Sequence, residues 1–463
     1  MQTKLKQAGL VGIGVLAGVL ISLNFSANAN KEAASPLPVE ELRSFADVFN
    51  AIKTGYVESV EDKKLINNAI SGMLSNLDPH SAYLDADAFK DLQVGTQGEF
   101  GGLGIEVGME DGFVKVVSPI EDTPAFRAGV KAGDLIIKLD DTAVKGMTLN
   151  DAVKRMRGKP KTPITLTISR KGETKPLVIT LVREVIKVQS VKSKLVEPGY
   201  GYVRVTQFQE STTQYLVKHL NELFKQGPMK GLVLDLRNDP GGLLHGAVGV
   251  SAAFLPPKAL VVSTDGRTED AKRKYFAISE DYLRGTREDF LKTLPPSVKT
   301  VPMVVLVNGG SASASEIVAG ALQDHKRAVV LGTQSFGKGS VQTILPLNNN
   351  TAIKLTTARY FTPNGRSIQA KGIEPDIKVE DTAGGDLGPR IREADLERHL
   401  DNPEGGAAPK AKPEPQSKAD KKDAKPKAED EEGKPPFEIG GKNDYQLTQA
   451  VNLLKGLQII QAK

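Results

Sequence analysis

The sequence contains no cysteine among its 463 residues. This absence excludes disulfide bonds, thiol catalysis and zinc sites built from cysteine thiolates. Histidine is also scarce, so only a few imidazoles are available as a general base. The five histidines are His80, His219, His245, His325 and His399.

No segment combines clustered basic residues with aromatic ones, which excludes the usual signature of a nucleic-acid-binding surface despite a net charge of +5. Hydrophobic residues make up 39% and charged residues 25% of the chain, as in soluble globular proteins. A chain of this length is long enough for two or three domains, each with its own core.

The first 29 residues are predicted to be an export signal. Lys4 and Lys6 precede an apolar run over residues 8–23, and Ala27 and Ala29 form a small-residue cleavage site. An uncleaved membrane anchor is the alternative, because the run is close to the minimum length that spans a bilayer. In both cases the rest of the chain is expected outside the cytoplasm.

Residues 30–97 are predicted to form a helical arm. Apolar side chains recur there at spacings of three and four, which is typical of an amphipathic helix; they are Leu42, Phe45, Val48, Phe49 and Ile52. Asp78 and Pro79 are expected to end the second helix of this arm.

Residues 98–184 are predicted to be a β-rich domain with a short helix over 148–157. Their order of strands resembles a PDZ domain, and the sequence GLGI resembles its carboxylate-binding loop, where glycines let backbone N–H groups converge on an anion. A peptide is then expected to add as a strand beside Ile105. The alternative is a packing module without a ligand. The predicted peptide-binding residues are Gly102, Leu103, Gly104, Ile105, Leu149, Val153 and Met156.

Strands and helices alternate over residues 185–382, which predicts a mainly parallel sheet with crossover helices. Three apolar strands, near 231–237, 302–307 and 328–332, each lead into a loop with polar or glycine residues. Functional sites of α/β sheets lie at the carboxyl ends of their strands. We therefore expect these loops to meet in one site.

The last two segments differ sharply in composition. Residues 383–438 are rich in charged residues, proline, alanine and glycine, and are predicted to be a disordered linker. Residues 439–463 are predicted to form an amphipathic helix with Leu447, Val451, Leu454 and Leu457 on one face. This face needs a partner, which is either the main body or a second subunit.

The strand at 302–307 leads into the sequence NGGSASASE at residues 308–316. Its serines lie at the start of a predicted helix, where free N–H groups and the helix dipole favour negative charge. Serine at such a position is most often a helix cap. Ser311, Ser313 and Ser315 therefore all remain candidates for a nucleophile, with Ser313 slightly favoured.

Lys338 is a candidate general base, because a neutral lysine deprotonates a serine without histidine. Its ordinary pKa of about 10.4 must fall for this role, and burial lowers it. A phosphate-binding P-loop is the competing interpretation of residues 332–338, but Gly339 stands where that motif requires serine or threonine. His245 is the rival base, since it follows a glycine turn at the same edge of the sheet.

These motifs together resemble the C-terminal-processing (tail-specific) serine peptidases, a bacterial periplasmic family that combines a PDZ domain with a Ser–Lys protease core. The resemblance implies a mixed α/β, multidomain fold with a crotonase-like core and no metal or organic cofactor. It implies Ser313 as nucleophile, Lys338 as base and Gln342 as the group that orients it. It also implies an oxyanion hole built from Ala314 with Gly241 or Gly242, between which the sequence does not decide.

Gln342 raises a geometric difficulty. Along a straight strand, residues 338 and 342 would lie roughly 13 Å apart. The flanking Gly337 and Gly339 are therefore expected to bend the chain.

The function predicted from this resemblance is that of an exported endopeptidase. It binds protein or peptide substrates by their free C-termini and cleaves them nearby, processing or degrading envelope proteins. A lipoprotein adaptor and a homodimer are expected partners, and nucleic acid is not. The alternative is a non-catalytic PDZ scaffold that only binds C-terminal peptides.

Overall fold

The computed structural model describes residues 37–120, 122–285, 288–385, 391–405 and 439–461. The predicted signal segment, residues 1–29, and most of the predicted linker lie outside these ranges. The chain divides into two compact units, residues 1–69 and 70–463.

The first unit contains helix α1 (Val39–Gly55) and the beginning of helix α2 (Asp62–Ser75). The apolar periodicity of this region predicts a helix, and α1 confirms it. No residue of α1 is buried. Four side chains of its apolar face are 38–59% exposed: Leu42, Phe45, Val48 and Ile52.

The second unit starts within α2 and continues with strand β1 (Ala82–Leu84) and helix α3 (Ala86–Gln97). Asp85 begins α3 as its N-cap, since its side chain accepts a hydrogen bond from Ala88 N. Strand β1 pairs antiparallel, over Ala82 to Leu84, with residues 352–354 of the α/β core. This part of the predicted arm therefore belongs to the core.

The β-rich domain that is predicted to resemble a PDZ domain is formed by residues 99–187. Its elements are β2 (Glu99–Gly102), β3 (Ile105–Glu110), β4 (Phe113–Pro119), α4 (Pro124–Arg127), β5 (Leu135–Leu139), β6 (Thr142–Ala143), α5 (Leu149–Met156), β7 (Pro163–Ser169), β8 (Leu177–Val182) and β9 (Glu184–Lys187). Strands β3, β4, β5, β7 and β8 form one antiparallel sheet. Strand β2 pairs separately with β9, so both ends of the domain meet where it joins the core.

The α/β core follows without interruption. Its elements are β10 (Val191–Glu197), β11 (Tyr200–Val205), α6 (Thr212–Phe224), β12 (Gly231–Asp235), α7 (Leu244–Phe254), β13 (Leu260–Gly266), β14 (Arg273–Phe276), α8 (Ser279–Tyr282), β15 (Met303–Val307), α9 (Ala314–Asp324), β16 (Val329–Gly332), β17 (Ser340–Pro346), β18 (Ala352–Phe361), β19 (Ile377–Lys378) and α10 (Tyr445–Gln461).

The main sheet of the core has the strand order β10-β11-β12-β15-β16-β19 and is parallel except for β10. Every residue of β12 and β15 is buried, as expected for central parallel strands covered on both faces. A second, antiparallel sheet contains β1, β18, β13 and β14, with β17 paired to β18. The predicted mixed α/β, multidomain fold with a mainly parallel sheet is confirmed.

The last helix packs on the main body. Leu447, Val451 and Leu454 of α10 are buried, and they form one cluster with side chains of β11, β12, β15 and β16. Leu457, predicted on the same face, is half-buried. The core of the same chain therefore covers the apolar face of this helix.

Residues 391–405 fall within the predicted disordered linker, yet they contact the core. Glu393 is 1% exposed and accepts hydrogen bonds from Gln369 Nε2 at 2.9 Å and from His80 Nε2 at 2.8 Å. Its own backbone N–H donates to the carbonyl of Phe336, two residues before Lys338. These buried polar contacts offset the ordering entropy that composition alone predicts to be too costly.

Within the described ranges, no helix has both the length and the apolar character needed to cross a membrane.

Candidate active site

Ser313 lies in the sharp turn between β15 and α9. Its backbone dihedrals are φ 56° and ψ −113°, in a region that residues other than glycine rarely adopt. A strained strand-to-helix turn of this kind exposes the nucleophile of many serine hydrolases at the edge of the sheet. The turn also brings Ser313 to the N-terminus of a buried helix, where developing negative charge is stabilised.

The hydroxyls of the two neighbouring serines serve the backbone. Ser311 Oγ donates to the Leu236 carbonyl at 2.8 Å, and Ser315 Oγ donates to the Asp239 carbonyl at 3.0 Å. Both side chains are fully buried. Ser313 is half-buried and is the one of the three that lines a cavity. The structure thus leaves Ser313 as the serine accessible to a substrate.

The cavity beside Ser313 has a volume of about 370 Å³. It also contains Lys338, from the loop before β17, and Gln342, from β17 itself. The loops after β12 and β15 meet here, as their strands predict. Apolar side chains line much of the remaining wall: Leu92, Leu243, Leu244, Ile317, Val341 and Ile344.

The surroundings of Lys338 favour the neutral form of its amine. Burial, followed by the positive charge of Lys354, lowers its pKa to about 8. The carboxylates of Glu393, Glu316 and Asp78 act in the opposite direction. In the described part of the chain none of them forms an ion pair with Lys338 Nζ, so burial dominates.

Gln342 lines the same cavity, and the chain between it and Lys338 is not a straight strand. Gly337 has φ 101°, and the pairing of β17 with β18 is irregular between Val341 and Gln342. The backbone is therefore irregular on both sides of this segment. Gln342 Nε2 donates to Ser340 Oγ at 3.0 Å and to Thr356 Oγ1 at 3.1 Å.

The two glycines after β12 have different roles. The N–H of Gly241 already donates to Asp239 Oδ1 at 2.8 Å. The N–H groups of Gly242 and Ala314 have no hydrogen-bond partner in the described residues. A Cβ on Gly241 would lie 2.8 Å from Ala314 N, so only glycine allows this close approach. Gly242 and Ala314 are thus the free pair of donors.

Glu316 is a central residue that the sequence analysis did not assign to the site. It is fully buried, and its Oε2 accepts the backbone N–H groups of both Ser313 (2.8 Å) and Lys338 (2.9 Å). Its Oε1 accepts from Ser335 Oγ at 2.6 Å and Gly337 N at 2.7 Å. Burial raises its pKa to about 7, and the hydrogen bonds limit that rise. The spacing of a capping box, a glutamate three positions after a serine, was the available sequence signal.

His245 does not line the cavity. Its Nε2 lies 3.0 Å from Glu210 Oε2, and burial lowers its pKa. His325, at the C-terminal end of α9, donates from Nε2 to the carbonyl oxygen of Leu260 at 2.7 Å. The geometry therefore favours Lys338 over the rival histidine.

The predicted peptide-binding residues lie mainly on two elements of the β-rich domain, with Ile105 on β3 and Leu149, Val153 and Met156 on α5. Gly104 has φ 75°, and a Cβ there would lie 2.2 Å from Thr123 Cβ, which explains the need for glycine. Ile105, Leu149 and Val153 are half-buried at the rim of the domain core, whereas Met156 is 7% exposed within it. Leu103 is likewise buried, and Gly102 belongs to β2.

Three protein-family models match the chain in the order that the fold shows. The model of peptidase family S41 matches residues 199–379, and a PDZ domain model matches residues 101–181. A model described as the N-terminal domain of the activating protease CtpB matches residues 21–88.

Curated relatives match over most of the chain. A carboxy-terminal-processing protease of Bartonella bacilliformis is 52% identical over 368 residues, which cover 79% of this chain and 80% of that protein. The carboxy-terminal processing protease CtpB of Bacillus subtilis is 36% identical over 377 residues, covering 80% and 75% respectively. CtpA of the same organism is 35% identical over 333 residues, covering 72% and 67%. The chain therefore belongs to the carboxy-terminal-processing proteases of peptidase family S41 and is a serine peptidase with a PDZ domain.

Proposed function

We propose that this protein is an exported endopeptidase that binds the C-terminus of a protein substrate in its PDZ domain and cleaves the chain by a Ser–Lys mechanism. Ser313 is the nucleophile, Lys338 the general base and Gln342 the residue that orients the base. One observation supports this most directly. A strained, accessible serine shares a cavity with a lysine whose pKa burial lowers to about 8.

In the first step the neutral amine of Lys338 accepts the hydroxyl proton of Ser313. Ser313 Oγ forms a bond to the scissile carbonyl carbon, and the carbonyl oxygen takes up the negative charge. The free N–H groups of Gly242 and Ala314 stabilise this oxyanion, and the N-terminus of α9 adds to the effect.

The second step reverses the proton transfer. The C–N bond breaks as the ammonium group of Lys338 donates its proton to the leaving amine, and an ester with Ser313 remains. Water then attacks the ester, with neutral Lys338 again accepting a proton, and the free serine is restored. A base with a pKa near neutrality serves both directions, which is the physical advantage of a buried lysine.

The apolar wall of the cavity supports a preference at the cleavage point. Leu243, Leu244 and Ile344 line the same cavity as Ser313. An apolar or small side chain next to the scissile bond is desolvated there at low cost. The substrates we propose are envelope proteins with partly unfolded, apolar tails.

The PDZ domain supplies the recognition of the terminus. Peptides bind such domains by adding a strand to the sheet, with the carboxylate held by the loop that contains Gly104. Ile105, Leu149 and Val153 are half-buried at the rim of this groove and supply the contacts to the last side chains. A lipoprotein adaptor that delivers substrates stays a prediction.

Export to the periplasm follows from the basic, apolar and A-x-A segments of residues 1–29, which lie outside the described ranges. A homodimer is the proposed assembly. The apolar face of α1 supports it, because Phe45 is 47% and Val48 is 59% exposed. Phe45→Glu is expected to convert a dimer, measured by sedimentation, into monomers.

The proposal is tested with a partly unfolded protein substrate and mass spectrometry of the products. Ser313→Ala and Lys338→Ala are each expected to reduce kcat by several orders of magnitude, with thermal unfolding nearly unchanged. Because the two residues act as one unit, the double variant is expected to be scarcely slower than either single variant.

Two outcomes would contradict the proposal. Substantial turnover by Lys338→Ala, with loss in His245→Ala, would transfer the role of base to histidine. Binding of C-terminal peptides without any cleavage by the wild-type protein would favour the PDZ scaffold. Ser311→Ala is the control variant. It removes a neighbouring hydroxyl whose hydrogen bonds all go to backbone groups.

A further inference from the structure

A buried carboxylate lies two hydrogen bonds away from Gln342. Thr356, in β18, connects the two: Gln342 Nε2 is 3.1 Å from Thr356 Oγ1, and Thr356 Oγ1 is 3.1 Å from Asp78 Oδ1. Asp78 is 4% exposed. It lies in the turn before β1, 278 positions ahead of Thr356. A segment that precedes the PDZ domain therefore reaches the catalytic cavity.

The direction of these hydrogen bonds is fixed by Asp78. Its Oδ1 accepts from the backbone N–H groups of His80 (2.8 Å) and Ser81 (2.9 Å), and its Oδ2 accepts from Ser81 Oγ (2.7 Å). Burial raises the pKa of Asp78, but these bonds and the one from Thr356 outweigh it, so the pKa lies below its ordinary value. An ionised carboxylate donates nothing, so the one hydroxyl proton of Thr356 points to Asp78.

Thr356 Oγ1 is consequently an acceptor towards Gln342. The second N–H of the Gln342 carboxamide donates to Ser340 Oγ at 3.0 Å. With both N–H groups engaged, Oε1 is the free end of the amide, and Gln342 lines the cavity that also holds Lys338. If the amide were rotated by 180°, Oε1 would lie against Thr356 Oγ1. The only proton of that hydroxyl already goes to Asp78, so this contact would be unfavourable.

We propose that Asp78 and Thr356 are positioning residues for the peptidase reaction. They hold the Gln342 carboxamide with Oε1 towards Lys338, where it accepts one N–H of the neutral amine and turns the nitrogen lone pair towards Ser313. The inference rests on the proposed Ser–Lys mechanism and extends it to a carboxylate that precedes the PDZ domain in the sequence.

Asp78 also acts on Lys338 through its charge. Four charged groups surround the amine, each on a different segment: Lys354 in β18, Glu393 in the turn at 393–395, Glu316 in α9, and Asp78. Lys354 favours the neutral amine, and the three carboxylates favour the ammonium form. Loss of the Asp78 charge therefore lowers the pKa of Lys338, whereas loss of the Thr356 hydroxyl leaves the charges unchanged.

The first experiment compares three threonine variants of the full chain. Thr356→Val keeps the shape but removes the hydroxyl, and kcat is expected to fall about tenfold or more with KM changed less than about twofold. Thr356→Ser restores the hydroxyl and is expected to recover most of kcat. Thr357→Val is the matched control, since it removes a hydroxyl on the same strand that bonds Thr343 at 2.7 Å on the opposite face.

The second experiment measures the pH dependence of kcat/KM in Asp78→Asn. Asparagine keeps the size of the side chain but lacks the charge and can donate to Thr356, which reverses the hydrogen bonds. We expect a lower maximum and a limb shifted to lower pH than in the wild type. A role of Asp78 in folding alone would change the amount of active enzyme but not the position of this limb.

The outcomes separate this inference from the proposed function. If Ser313→Ala remains active, the Ser–Lys mechanism itself is wrong. If Ser313→Ala is inactive but Thr356→Val retains at least half of kcat, or if Thr356→Ser is as slow as Thr356→Val, only the positioning role is overturned. The unfolding temperature of each variant is measured alongside, and the two Thr356 variants keep the test valid even if Asp78→Asn does not fold.

Discussion

Arg237 and Asp444 form a bidentate ion pair across 207 positions of the sequence, with Nη1–Oδ1 at 2.9 Å and Nη2–Oδ2 at 2.5 Å. Both side chains are at most 1% exposed. Arg237 also pairs with Asp235 at the end of β12, and Gln446 accepts from its Nη1 at 3.0 Å. The last helix is therefore attached to the strand that leads into the loop of Gly241 and Gly242.

The first prediction concerns this attachment. Asp444→Ala leaves the guanidinium of Arg237 buried with one carboxylate fewer, and breaking such a pair costs about 3–5 kcal/mol of the free energy of unfolding. Urea denaturation monitors the loss. Asn452→Ala is the control, since Asn452 is exposed on the same helix. A loss below about 1 kcal/mol would mean that the pair is replaced by water or by Asp235 alone.

A second prediction concerns the pH dependence of catalysis. Lys338 acts as a base only when neutral, and burial lowers its pKa to about 8. The value of kcat/KM is therefore expected to rise with pH through this region and to level off above it. Lys354→Met removes a neighbouring positive charge, which favours the ammonium form of Lys338, and the limb is expected to move to higher pH.

The measurement uses one peptide substrate from pH 6 to pH 10, with unfolding followed at each pH. Movement of the limb to lower pH in Lys354→Met would contradict the sign of this interaction. A limb near about pH 6.5 that disappears in His245→Ala would instead identify histidine as the base.

A third prediction concerns Glu316, whose Oε2 accepts the backbone N–H groups of both Ser313 and Lys338. Glutamine in its place supplies one acceptor oxygen and a donor amide, so at least one of four buried donors loses its partner. Glu316→Gln is expected to reduce kcat by about tenfold or more, because the two catalytic loops lose a common anchor. Glu397→Gln, at an exposed carboxylate, is the control.

Activity of Glu316→Gln close to that of the wild type would show that the helix and strands alone hold the loops. Because Glu316 is fully buried, the unfolding temperature is measured as well. A loss of activity larger than the unfolded fraction of the protein can explain supports the anchoring role.

Local patterns in the sequence were sufficient for much of this architecture. The buried strands β12, β15 and β16 read as apolar runs, and parallel pairing brings their loops to one edge. The sequence could not decide whether Gly241 or Gly242 has the free N–H group. That depends on a hydrogen bond from the N–H of Gly241 to Asp239, which only the structure shows. Nothing in the chain near Lys338 indicated Glu393 or Asp78, which approach it from distant segments.

Composition also misled at one point. Residues 391–405 are charged enough to resemble the linker that follows, but the buried position of Glu393 is decided by partners such as His80 and Gln369. Partners from distant segments supply hydrogen bonds to a carboxylate that composition alone predicts to be solvent-exposed.

The fourth prediction concerns the reading of the substrate terminus. Gly104 has φ 75°, and a Cβ there would clash with the side chain of Thr123, so Gly104→Ala distorts the loop that is proposed to hold the carboxylate. Gly108→Ala is the matched control: Gly108 lies in β3 with ordinary φ, and a Cβ there would meet Val117 only at 3.8 Å.

The test compares kcat/KM for matched peptides that end in a free acid or in an amide, with an apolar last residue. Backbone N–H groups in the loop attract a carboxylate more strongly than a neutral amide. The wild type and Gly108→Ala are therefore expected to cleave the acid faster. A substrate whose last residue is Asp is expected to be cleaved more slowly, because its charged side chain would lie against the half-buried Leu149 and Val153. Gly104→Ala is expected to bring the acid-to-amide ratio close to one. This ratio is insensitive to the amount of folded enzyme, so it separates recognition from stability. Equal rates for acid and amide on the wild type would mean that the PDZ domain does not read the terminus and that substrates are selected at the cavity beside Ser313.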